Sequence, residues 1–194
     1  MKQVVVVVDT QADFMNSDGA LAVAGADALA APMAEWLSSL APENTAAVLF
    51  TFDTHDADTY PGLPEAQQFP IHCVRATPGW RNVLDPQAVD PAIPTYRLEK
   101  GVFAMWEEPD LRVEPICGGA SADRDAFFRT LRAQGVDDAA VIGVAADYCV
   151  RWAIEGLVDR GFRVTVPQAL TRGIARPIEQ VLAEDFAGRA VTLR

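Results

Sequence analysis

The chain of 194 residues is half apolar and 22% charged, with 16 Lys and Arg against 27 Asp and Glu, a net charge of −11. This composition is typical of a globular protein, and the length suits one domain over residues 1–194. The acidic balance disfavours nucleic acid and anionic membranes as partners, because both are bound through Lys and Arg. The apolar run Val4–Val8 is too short to span a bilayer and has no leader cleavage pattern, so we predict a cytoplasmic protein.

Short β-branched runs alternate along the chain with segments of helical period. The first run, Val4–Val8, is typical of a strand that is buried on both faces of a parallel sheet. The similar runs are Ala47–Phe52, Tyr96–Leu98, Ala140–Val144, Arg163–Val166 and Ala190–Leu193. Apolar residues at helical spacing predict helices over 29–40, 127–131 and 150–158. We therefore predict an α/β fold, a three-layer α/β/α arrangement around about six parallel strands.

Two long connections, residues 53–94 and 101–121, interrupt this alternation. Long segments inside a compact α/β domain are usually functional or disordered. Aromatic side chains within them favour order. They are Tyr60, Phe69, Trp80, Phe103 and Trp106.

Polar side chains follow four of the predicted strands. Asp9 follows the first strand, Asp53 and His55 the second, Lys100 the third, and Cys149 the fourth. Each could singly be a cap, a solvated terminus or a small buried side chain. Ligands of open parallel sheets bind beyond the carboxyl ends of the strands, however, and together these groups suffice for thiol chemistry. We therefore interpret them as one site.

Cys149 opens a predicted helix, where the helix dipole and nearby Lys100 are expected to lower the thiol pKa. The backbone N–H groups of Ala145 and Cys149 are candidates for stabilising an oxyanion. Cys73 and Cys117 lack this strand-to-helix setting, so structural or incidental roles are expected for them.

The two histidines of the chain, His55 and His72, lie in the first long connection with Asp53. Imidazole and carboxylate ligands suit zinc, iron or manganese. In the alternative interpretation both histidines only form hydrogen bonds within a surface loop. If they are metal ligands, the base for the thiol must be a carboxylate, and Asp9 is the candidate.

Five segments carry a resemblance to a known family. They are Val8-Asp9-Thr10-Gln11-Ala12-Asp13-Phe14, Asp53-Thr54-His55, Phe69-Pro70-Ile71-His72-Cys73, Lys100 after a strand, and Gly143-Val144-Ala145-Ala146-Asp147-Tyr148-Cys149-Val150. In this order they resemble the nicotinamidase/pyrazinamidase branch of the isochorismatase-like cysteine hydrolases. The likeness extends from Val4 to about Gly161 and implies that family's Rossmann-like fold.

The resemblance implies a catalytic triad of Asp9 as base, Lys100 as the charge beside the thiol, and Cys149 as nucleophile. It also implies a cis peptide bond between Val144 and Ala145, in a turn whose N–H groups form the oxyanion hole.

A divalent metal, zinc or else iron or manganese, is implied on Asp53, His55 and His72. Glu65 matches a family variant for the fourth ligand, with Asp56 and Asp58 as alternatives.

Phe14 and Phe69 resemble the aromatic residues that flank the substrate ring, although Phe14 also suits the core. Trp106 could close the pocket or pack on its own domain. The chain departs from the family after Lys100, where 101–106 replaces a Ser-Ala-Phe-like stretch. This change borders the pocket, so it bears on the substrate more than on the chemistry.

The resulting hypothesis is hydrolysis of nicotinamide to nicotinate and ammonia, a step of NAD salvage, through a Cys149 thioester. The alternatives are the same triad acting on another small amide, carbamoyl or ureido compound, and a non-catalytic α/β binding module. A vinyl-ether hydrolase is disfavoured because Cys149 is present. The expected partner is a small-molecule amide. The sequence is also compatible with a homo-oligomer.

Overall fold

The computed structural model describes residues 2–194 and consists of a central sheet with helices packed on both faces. The strands are β1 (Gln3–Val8), β2 (Thr45–Asp53), β3 (Thr95–Lys100), β4 (Arg112–Pro115), β5 (Ala122–Asp123), β6 (Asp138–Val144), β7 (Arg163–Val166), β8 (Thr171–Arg172) and β9 (Val191–Leu193). The α-helices are α1 (Ala12–Met15), α2 (Ala30–Ser38), α3 (Arg124–Ala133), α4 (Cys149–Asp159) and α5 (Ile178–Asp185). Short 3₁₀ turns cover Asp27–Leu29, Tyr60–Gly62, Pro64–Gln67, Pro86–Ala88 and Gln168–Leu170.

The strands run in the spatial order β5-β4-β3-β2-β1-β6-β7-β9, and β8 pairs with β6. All pairs are parallel except β3 with β4 and β4 with β5. The predicted α/β fold is confirmed, and each of the six predicted runs lies in a strand, except that Ala190 precedes β9. The predicted strand count was too low, because β4, β5 and β8 have only two to four residues and carry no apolar run.

The apolar alternation of β1 divides the core into two layers. Val4, Val6 and Val8 face one cluster, which includes Phe128 of α3 and Ile154 of α4. The intervening Val5 and Val7 face the other cluster, which includes Met33 and Leu37 of α2. Burial on both faces is what a continuous valine run predicts for the centre of a parallel sheet.

The three predicted helices are present as α2, α3 and α4. The one-turn α1 and the eight-residue α5 were not predicted, since both are too short to show a helical period. The longest helix, α4, has 11 residues, and no helix in the described part of the chain could cross a membrane.

The segment 101–111 connects β3 to its antiparallel neighbour β4. Arg124, buried at the start of α3, fixes the middle of this segment, because its guanidinium donates to the carbonyls of Met105 and Glu108. The segment is therefore fixed at both ends by the sheet and in the middle by one side chain.

Candidate active site

The predicted site residues come together because their strands are neighbours. The order β3-β2-β1-β6 places the carboxyl ends of four parallel strands side by side. Asp9 directly follows β1, Lys100 ends β3, and Cys149 begins α4 after the turn that leaves β6. Asp9 has a left-handed backbone with φ +48°, a conformation that Asp tolerates better than most residues.

Lys100 is the centre of the group. Its Nζ lies 2.8 Å from Asp9 Oδ2, 3.3 Å from Asp53 Oδ1 and 3.5 Å from Cys149 Sγ. Burial lowers the pKa of Lys100, but the negative charges of Asp53 and Asp9 outweigh it and hold that pKa well above its usual value. A buried ammonium thus stands between two carboxylates and the thiol.

The thiol of Cys149 differs from the sequence expectation. Burial raises its pKa well above the usual value, and Asp9 and Asp53 add to this, while Lys100 alone acts to lower it. The predicted lowering was wrong chiefly because the thiol is buried, and also because two buried carboxylates share the ammonium. The raised pKa means that the thiol needs a base to become the nucleophilic thiolate, the role predicted for Asp9.

Thr51 is a site residue that the sequence analysis missed. Its hydroxyl donates to Asp9 Oδ1 at 2.6 Å, which leaves Oδ2 facing Lys100. Thr51 is buried in β2, between Phe50 and Phe52. The available signal was a hydroxyl side chain in an otherwise apolar strand, two residues before the strand ends at Asp53.

The turn between β6 and α4 begins with a cis peptide bond between Val144 and Ala145, as the family resemblance implies. Asp147 holds this turn, because its carboxylate accepts three backbone N–H groups at 2.8 to 2.9 Å. The donors are Ile174, Ala175 and Arg176. The turn that carries the Ala145 and Cys149 N–H groups is thereby clamped against the segment after β8.

Four buried side chains form a candidate metal group beside the triad. They are Asp53, His55, Glu65 and His72, and one ligand atom of each lies within 4.8 Å of all the others. Asp53 Oδ2 is 3.0 Å from His72 Nε2 and 3.2 Å from His55 Nε2. Asp56 and Asp58 are exposed and lie outside the group, so the structure brings in Glu65 instead of either alternative.

The donor set fits a divalent cation. Glu65 Oε1 is buried without a hydrogen-bond partner, and it lies 3.3 Å from His72 Nε2. Nδ1 of His72 lies 2.8 Å from the carbonyl of Pro70, which directs Nε2 into the group. Burial lowers the pKa of His72, but the nearby carboxylates of Asp53 and Glu65 outweigh it and raise that pKa to about 10. A cation among these atoms would remove the need for that proton.

Aromatic rings contact His72 of the metal group and Tyr148, which precedes the thiol residue. The ring of Phe14 lies 5.1 Å from that of His72, and Phe14 also belongs to a core cluster. Phe69 is edge-on to Tyr148, which precedes Cys149, at 5.3 Å. Phe103 contacts both of these rings, at 5.9 Å from Phe69 and 5.4 Å from Tyr148.

Trp106 is not among these rings. Its indole N–H donates to the carbonyl of Trp152 at 2.9 Å, its ring lies 5.1 Å from Phe128, and the Arg160 guanidinium stacks on it at 4.0 Å. Of the two roles that the sequence left open for Trp106, these contacts support packing on its own domain, against α3 and α4. Sequence spacing alone does not show which way a loop side chain turns.

We expect Gly156→Ala to destabilise the fold by about 1–3 kcal/mol, the usual cost of overpacking. A methyl group at this position of α4 would overlap the indole of Trp106, which is held by its hydrogen bond to Trp152. Urea unfolding measures the change. The matched control is Gly62→Ala, an exposed position where no atom lies within 4 Å of the added carbon and φ is not positive. Equal losses in the two variants would contradict the role of Trp106 packing.

Comparison with known proteins identifies the family. The profile of the isochorismatase domain matches residues 3–180. The chain belongs to the isochorismatase family. Nicotinamidase/pyrazinamidase of Mycobacterium tuberculosis is 29% identical to it over 191 residues, 97% of this chain and 96% of that protein.

Solved structures of the isochorismatase family agree with this result. Pyrazinamidase of Pyrococcus horikoshii, solved in complex with zinc, is 25% identical with a TM-score of 0.70 over 100% of this chain and 99% of that one. N-carbamoylsarcosine amidase of Thermoplasma acidophilum shares the fold, with 23% identity and a TM-score of 0.72 over 100% and 96% of the two chains. The chain is thus an isochorismatase-like hydrolase of amide bonds, and the binding-module alternative is set aside.

Proposed function

We propose that this hydrolase is a metal-assisted cysteine amidohydrolase that converts nicotinamide to nicotinate and ammonia in NAD salvage. The observation that carries the proposal is the position of the Lys100 ammonium, between the Asp9 carboxylate and the Cys149 thiol. The metal group adjoins it through Asp53. The choice of nicotinamide is supported by the name of the Mycobacterium tuberculosis relative.

In the proposed reaction Asp9 accepts the thiol proton as Sγ attacks the carboxamide carbon. The N–H groups of Ala145 and Cys149 stabilise the oxyanion that forms. Asp9 then returns the proton to the leaving nitrogen, ammonia departs, and a thioester remains on Cys149. A water molecule, deprotonated by Asp9, attacks that thioester and releases nicotinate and the thiol.

Asp53, His55, Glu65 and His72 would hold the metal, and zinc is the proposed ion because a structural relative was solved with it. A bound divalent metal supplies a Lewis acid for the pyridine nitrogen of the substrate. Phe14 and Phe69 are proposed to flank the ring and direct the carboxamide towards Cys149. Lys100 is proposed to keep a positive charge beside both Asp9 and the Cys149 thiol.

Ammonia release from nicotinamide by zinc-loaded protein tests the substrate assignment. Turnover above that of a Cys149→Ala blank is the expected result. The second candidate, a carbamoyl or ureido substrate, is favoured by the departure of 101–106 from the family pattern. Release of ammonia from N-carbamoyl compounds, with nicotinamide untouched, would overturn the nicotinamide assignment while leaving the triad in place.

His55→Ala is expected to lose the bound metal and either raise KM or abolish turnover. The imidazole supplies one of the four ligand atoms, and no other histidine besides His72 exists to replace it. Metal content per chain, measured by elemental analysis after dialysis, checks this. Asp58→Ala, an exposed carboxylate in the same connection, is the control. Unchanged metal content in His55→Ala would refute the ligand assignment.

A further inference from the structure

Tyr60 lies behind the metal group and belongs to none of the roles assigned so far. It is 3% exposed, in the 3₁₀ turn that precedes the one carrying Glu65. Its ring is edge-on to both imidazoles, with centroids 4.8 Å from His55 and 5.7 Å from His72. One side chain therefore contacts two of the four proposed ligands and precedes a third by five residues.

The phenol hydroxyl is in reach of two backbone carbonyls. It lies 3.0 Å from the carbonyl oxygen of Pro70 and 3.1 Å from that of Phe69. The Pro70 carbonyl is also the acceptor for Nδ1 of His72, at 2.8 Å. A histidine ligand is directed by the partner of its second nitrogen, so whatever fixes the Pro70 carbonyl also fixes the direction of His72 Nε2.

We infer that Tyr60 is a positioning residue whose hydroxyl holds the 69–70 backbone, so that His72 is aimed at the metal and Phe69 at the substrate ring. This inference rests on the metal site of the proposed function. The hydroxyl lies 3.5 Å from Nδ1 of His72, but it touches neither the ligand atoms that face the metal nor the reacting groups, and it acts through His72 and Phe69. The Tyr60 ring packs edge-on against both imidazoles, which also contact each other with centroids 4.9 Å apart, so removal of the hydroxyl alone leaves this packing in place.

Tyr60→Phe tests the inference, because it keeps the ring and deletes only the hydroxyl. Loss of a partner that orients a ligand typically weakens metal binding roughly 10- to 100-fold, and we expect that range here. Zinc is titrated into metal-free wild-type and variant protein in competition with a chromogenic chelator. Tyr96→Phe, which alters a tyrosine packed against Phe127, is the matched control and should bind zinc like the wild type.

Two further measurements separate positioning from a loss of stability. The absorption spectrum of the Co²⁺-loaded variant should differ from that of the wild type, because the spectrum follows ligand geometry. At saturating zinc, Tyr60→Phe should raise KM more than it lowers kcat, since Phe69 contacts the ring and not the reacting bond.

The results separate a failure of the Tyr60 role from a failure of the metal site. Equal zinc affinity and equal Co²⁺ spectra in Tyr60→Phe and wild type would overturn the role of Tyr60 and leave the proposed function standing. Absence of zinc binding in the wild type itself would overturn the metal site, and the inference with it.

Discussion

Cys149→Ala is expected to abolish ammonia release, lowering kcat by at least about 10⁴-fold, in the range seen when a covalent nucleophile is removed. The variant lacks the sulfur that forms the thioester, and no other thiol can replace it. Cys73 is buried, and its pKa is held far above the usual value by burial and by Asp53 and Asp9. Cys117 is exposed, outside the residues that form the candidate site.

Kinetics and mass spectrometry together check this result. Rapid acid quenching of the wild type during turnover should trap an acyl group on the peptide that contains Cys149. Cys117→Ala is the control and should keep wild-type kcat. The fold of Cys149→Ala should survive, since the change removes a single buried atom, and its thermal unfolding curve shows whether it does. Substantial turnover by a folded Cys149→Ala protein would exclude the thioester mechanism.

Lys100→Met should lose both activity and stability. The ammonium is the cation that lies between the buried carboxylates of Asp9 and Asp53. Removing one partner of a buried ion pair typically costs about 3–5 kcal/mol, because the remaining charge is left uncompensated. Urea unfolding measures that loss, and kcat should fall with it because the positive charge beside Asp9 and Cys149 is gone.

A double variant separates the two effects. Asp9→Asn combined with Lys100→Met removes one of the stranded charges, so it should be more stable than Lys100→Met alone while remaining inactive. The surface variant Arg75→Ala, which breaks an ion pair of an exposed arginine, should cost about 1 kcal/mol or less. Wild-type stability in Lys100→Met would contradict the central position of the ammonium.

Local sequence was sufficient to predict the residues at the strand ends. The valine run Val4–Val8 was enough to predict a buried strand, and Asp9 is the next residue in the chain. Sequence order was also enough to bring Asp9, Lys100 and Cys149 together, because parallel strands end at the same edge.

Properties that depend on several segments at once could not be predicted in this way. The pKa of Cys149 depends on how deeply the thiol is buried and on the balance of charges from three other strand ends, and the sequence shows neither the burial nor the balance. Glu65 reaches the metal group, and Asp56 and Asp58 do not, because the 3₁₀ turns Tyr60–Gly62 and Pro64–Gln67 bring the chain back to the two histidines. β4 has one fully buried apolar residue, Val113, which is too little for a pattern.

The segment 101–111, which connects β3 to β4, is held largely through its backbone. Its two ends are set by hydrogen bonds between β3 and β4, and Arg124 holds it through main-chain carbonyls, which every residue type provides. Apart from Trp106 and Glu108, whose side chains bind Trp152 and the Gly101 N–H, side chains along it can therefore be exchanged without moving Lys100 at its start. We expect exchanges of this kind to change substrate preference among descendants of one enzyme while the reacting groups stay constant.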